Sequence, residues 1–184
     1  MTAQKKPRKR RRSYLNDFQQ TVTGEYIYSG KTYTFRGSPQ ERKKLLRQLI
    51  FLGCFILAAS VASGCIGVPG MLNCFYVIVP YSAAFLSAVS LVWGLVRLVR
   101  GGEALRQYIY AASVKAFPTR AVCTMVFSLL AVLCEIVYVL LHGTQGLTAG
   151  FLLFVFFHIL IFAAAFLWRR LIRCSEWTGD GTSH

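Results

Sequence analysis

The stretch FLLFVFFHILIFAAAFLW at residues 151–168, closed at once by Arg169-Arg170, decides the fold class. It carries no formal charge and approaches the roughly 20 apolar residues that a helix needs to cross hydrocarbon. Three more stretches of this kind precede it, at about residues 120–141, 72–96 and 48–66. Charges crowd their ends, and Glu135 is the one acidic residue inside any of them. The composition agrees: 55% of the 184 residues are apolar, yet the net charge is +14. A basic soluble domain would account for the charge but not for its exclusion from segments of spanning length. The expected fold is an all-α membrane protein, a four-transmembrane-helix bundle with a short cytoplasmic N-terminal β-hairpin and a basic arm.

Orientation follows from counting. Thirteen Lys/Arg precede the first span, five lie between the second and third if Arg120 at the edge of the third is counted, and three follow the fourth, which sums to all 21. The two remaining loops therefore have none. Alternation of basic and neutral segments is the positive-inside pattern, so both termini and the middle loop are expected in the cytoplasm of a multi-pass cell-membrane protein. The run Ala62-Ser63-Gly64-Cys65 imitates a lipoprotein cleavage site, but the basic segment before it is far longer than a signal n-region.

The chain divides into residues 1–37, 38–173 and 174–184. The first part opens with a cationic arm, Lys5, Lys6, Arg8, Lys9, Arg10, Arg11 and Arg12, too repulsive to fold alone. Glu25-Tyr26-Ile27-Tyr28 and Thr32-Tyr33-Thr34-Phe35 follow, rich in β-formers and joined by Ser29-Gly30-Lys31, which predicts a hairpin packed on a neighbouring surface. Ser38, Pro39 and Glu41 have the spacing of a capping box with proline at the first helical position. Residues 101–119 hold a mildly amphipathic stretch around Leu105, Tyr108, Ile109 and Ala112, suited to a short interfacial helix. The last eleven residues read as a polar tail.

Small and polar residues should mark the packed faces of helices in lipid. They recur at helical spacing in the first span (Gly53, Ser60, Ser63, Gly67), the second (Asn73, Tyr76, Pro80, Ala83, Ser87, Ser90, Gly94) and the third (Thr124, Ser128, Ala131, Glu135, Tyr138, His142). The fourth is almost wholly aliphatic and aromatic, which predicts a more lipid-exposed position. Pro80 removes a backbone donor and predicts a kink, either a packing feature or a gate.

Few residues offer chemistry. Glu135 lies eleven positions before Gly146 and His158 twelve after it, so an antiparallel pair puts both at one depth. They could form a proton relay or cation site, or an interhelical hydrogen bond that sets register, or Glu135 could be held neutral by its apolar setting. Cys65 and Cys74 flank the first neutral loop and could form an outer-face disulfide or remain two separate thiols. The six cysteines include no CxxC pair and no zinc-like spacing. No nucleotide-binding glycine loop, catalytic triad order or HExxH occurs, so no metal, cofactor or enzymatic activity is expected. The arm could lie on anionic headgroups, each residue worth on the order of 1 kcal/mol, or engage an acidic partner; nucleic acid fits poorly with four spans. The expectation is a non-enzymatic interaction or accessory subunit, with a partner membrane protein or a second copy. The alternative is a small transporter or channel subunit using Glu135 and His158.

Overall fold

The computed structural model describes residues 18–20, 26–28 and 30–180. Four helices are long and apolar enough to cross a membrane: α1 (Pro39–Cys65), α3 (Phe75–Arg100), α5 (Phe117–His142) and α6 (Thr148–Arg173). Between them lie two short helices, α2 (Pro69–Asn73) and α4 (Gln107–Ala112). The long helices close a ring in which α1 packs on α3, α3 on α5, α5 on α6 and α6 on α1. The start of α1 is built as the residues dictate. Ser38 accepts from the Glu41 backbone N–H at 3.2 Å, and the Glu41 carboxylate accepts from the Ser38 N–H at 2.8 Å. This satisfies two donors that a helix start otherwise leaves without partners.

Five short strands complete the described chain: β1 (Phe18–Gln20), β2 (Tyr26–Tyr28), β3 (Thr32–Phe35), β4 (Leu105–Arg106) and β5 (Trp177–Asp180). The expected hairpin is corrected here. Tyr26–Tyr28 pairs with Phe18–Gln20, while Thr32–Phe35 is the centre of a separate sheet in the order β4-β3-β5. All pairings are antiparallel, and Tyr33 stands opposite both Leu105 and Gly179. The alternation of β-formers located the strands, but it carries no information on partners. Aromatic burial chooses them. Tyr33 stacks on Tyr110 of α4 at 4.0 Å between ring centroids, and Phe35 meets Trp177 of β5 edge to face at 5.5 Å.

The same sheet corrects the expected polar tail, because residues 177–180 form a strand. It also draws the interfacial segment inward: Leu105 is fully buried, and α4 follows it directly. The sheet thus joins the segment before α1, the segment between α3 and α5, and the segment after α6. All three are basic segments. We call this the basic end of the bundle and the opposite one, with α2 and the α5–α6 loop, the neutral end.

The main core runs from the sheet into the ring. Trp168 of α6 is buried edge to face against Phe117 of α5 at 5.4 Å, and Gly53 of α1 leaves the space that the indole fills. The small and polar stripes of α1 and α5 lie inside as expected, save for the end residues Gly67 and His142. On α3 the buried face is rotated by about one residue, to Val77, Ala84, Ala88, Leu91, Leu95 and Leu98, keeping only Pro80 and Gly94 of the expected stripe. α6 is buried as extensively as α3 and α5, against the expectation that it would be the exposed helix. Core and hydrocarbon are equally apolar, so large aliphatic residues carry no signal of which face packs.

Candidate functional site

The buried face of α5 steps by three and four through Thr124, Ser128, Ala131, Glu135 and Tyr138. Glu135 has no exposed surface, and its carboxyl meets the start of α2. The Val68 cap of α2 makes no side-chain hydrogen bond, and Pro69 occupies the first turn. Gly70 N–H is therefore an orphan donor, and it donates to Glu135 Oε1 at 3.1 Å. A carboxyl borne by α5 thus caps the start of α2, where the helix dipole favours an acceptor. The fit at this position is tight. A Cβ on Gly70 would collide with Glu135 Oε2 and stand 3.0 Å from Val77 Cγ2. Glu135 Oε2 is buried and has no hydrogen-bond partner among the described residues.

A second layer of polar contacts closes the neutral end. Asn73 Nδ2 donates to Pro69 O at 3.0 Å and to Gln145 Oε1 at 3.4 Å, and Gln145 Nε2 donates to the Tyr138 hydroxyl at 3.2 Å. Gln145 reaches both from a left-handed backbone conformation, φ 50°, in the α5–α6 loop. The loop, α2 and α5 are thereby tied together above Glu135.

His158 sits elsewhere. Its Nδ1 donates to Phe154 O at 2.9 Å, its ring lies 4.1 Å from that of Phe154, and its carbonyl accepts from Ser128 Oγ at 3.2 Å. Tyr81 of α3 lies 6.1 Å from the imidazole and donates to Ser60 O of α1 at 2.8 Å. The expected pairing of Glu135 with His158 is corrected: each bonds its own partners, and no bond or ion pair joins them among the described residues. The two residues are not at one depth, because the α5–α6 connection is not symmetric about Gly146. Ser128 is level with His158, which places Glu135 seven residues, about 10 Å, nearer the neutral end.

The other expected residues are distributed as follows. Pro80 is buried in an unbroken α3, six residues into the helix. Cys65 and Cys74 are free thiols, the first exposed and the second half-buried, with α2 standing between them in the chain. The arm residues from Lys5 to Arg12 lie outside the described residues. Among the described residues no group of His, Cys, Asp and Glu could hold a metal ion.

Reasoning from the sequence passed over Gly70, Gln145, Tyr81 and Arg120. Gly70 and Gln145 belong to segments read as plain turns, and their contacts are to a backbone group and to loop polar atoms. Arg120 had a visible signal, a charge at the start of the third apolar run. Its Nη1 donates to Ser90 O of α3 at 2.9 Å, over Gly94, where a side chain would obstruct it. At the same end Arg97 stacks 5.6 Å over the Trp93 ring, and Arg36 pairs with Glu176 across β3 and β5 at 3.1 Å. Comparison with protein-family models, with curated proteins and with solved structures found no match.

Proposed function

We propose that the chain is a multi-pass membrane protein with both termini in the cytoplasm, acting as a non-enzymatic interaction or accessory subunit. One observation carries this reading: all 21 Lys/Arg fall in alternate segments, and the two intervening loops have none. The three basic segments converge on the β4-β3-β5 sheet, so the proposed cytoplasmic face is a folded platform beside the bundle. The arm from Lys5 to Arg12 precedes this platform in the sequence and is suited to anionic headgroups or an acidic partner surface.

The test is co-purification from native membranes. Removal of residues 1–13 leaves every described strand in place, and it is expected to abolish recovery of a partner while membrane insertion persists. Unchanged recovery would contradict a docking role for the arm. The transporter alternative needs a water path to Glu135. That carboxyl has no exposed surface, and α2 with the Asn73–Gln145–Tyr138 contacts lies over it.

A further inference from the structure

We infer that the groove between α1 and α6 at the basic end is a binding site for one anionic glycerophospholipid, with the headgroup at Arg47 and an acyl chain along Phe51, Leu52, Leu167 and Leu171. The inference rests on the reading that the four long helices span a membrane. The groove has a volume of about 470 Å³ and is lined by those five residues and Gln48. Its floor is apolar, and its polar groups are gathered at one end.

The sequence of α1 explains that polarity. Residues four apart share a helix face, so Lys43, Arg47 and Phe51 form one column and Lys44, Gln48 and Leu52 form the next. Both columns pass from cation to polar or charged group to hydrocarbon within two turns, the order of a phospholipid read from headgroup to tail. All four polar members, Lys43, Lys44, Arg47 and Gln48, are exposed. On α6, Leu167 and Leu171 supply the opposite wall. Lipid-facing grooves take up some acyl chain in any bilayer. Arg47 in the lining with Lys43 one turn beyond it, and no acidic residue lining the groove, is what favours an anionic headgroup over a zwitterionic one.

Native mass spectrometry of the full chain in detergent, titrated with phosphatidylglycerol and with phosphatidylcholine of identical acyl chains, tests the site. The expected result is preferential retention of phosphatidylglycerol. Arg47→Gln should lower that preference about fivefold, the factor that ~1 kcal/mol per basic residue near the surface corresponds to. Leu171→Trp, which fills the groove, should weaken retention of both lipids. Arg100→Gln, an exposed cation at the same end of α3 but outside the groove, should leave the preference unchanged. Equal effects of Arg47→Gln and Arg100→Gln, or no effect of either, would overturn the site. Alkaline carbonate extraction of the same membranes separates the two failures. Protein that stays in the membrane but has no lipid preference overturns the site alone, whereas protein released by carbonate overturns the membrane reading with it.

Discussion

Gly70 and Glu135 form the contact on which the neutral end depends, and the two residues fail in different ways when changed. Gly70→Ala inserts a methyl group into the carboxyl of Glu135. It is expected to cost ~1–3 kcal/mol, as overpacking of a tight site does, visible as a lower unfolding temperature in detergent. Glu135→Gln keeps an acceptor oxygen for Gly70 N–H, so α2 stays docked and the unfolding temperature stays close to that of the parent. Glu135→Ala leaves that donor buried without a partner, at a cost of ~1–3 kcal/mol. Equal losses for Gln and Ala would contradict the capping role. Glu135 was visible in the sequence because an acidic residue in an apolar run stands out. Its partner was not visible, because a backbone N–H leaves no mark in the residue pattern. His158 was the wrong choice for a related reason: counting residues from Gly146 assumes a symmetric loop, and the bond from Ser128 to His158 records an asymmetric one.

Among the elements, β5 is the one whose loss should matter most for the basic end. Trp177 packs against Phe35 and stands 6.2 Å from Tyr110. Trp177→Ala is therefore expected to release β5 from β3, costing ~3 kcal/mol or somewhat less because the indole is only partly buried, and to open residues 175–180 to protease. The neighbouring Arg36–Glu176 pair is exposed on both sides, at 72% and 71%. Glu176→Ala is expected to change stability by less than ~1 kcal/mol, as for other solvated pairs. A larger loss from Glu176→Ala than from Trp177→Ala would mean that charge rather than aromatic packing holds the strand. Helices were more legible than strands. The capping box at Ser38 and the uncharged runs mark the long helices directly, whereas Trp177 lies in a short polar segment whose strand exists only because β3 is beside it. The rotation of α3 was hidden for a packing reason, since Leu91, Leu95 and Leu98 suit lipid and protein core equally well.

For the whole molecule, the ring of four helices and the three-stranded sheet give the charge pattern a spatial meaning. The described parts of the segments that hold the Lys/Arg residues meet at one end, and the two uncharged loops lie at the other. We propose that this axis is the membrane normal, with the basic end in the cytoplasm. The native cysteines allow it to be measured, because Cys65 and Cys174 are exposed at opposite ends of the bundle. Single-cysteine proteins retaining one of the two would be treated in intact cells with a membrane-impermeant maleimide, before and after permeabilisation. With that orientation Cys65 is expected to be labelled in intact cells and Cys174 only once the membrane is opened. Labelling of Cys174 in intact cells, or equal labelling of both residues, would contradict it.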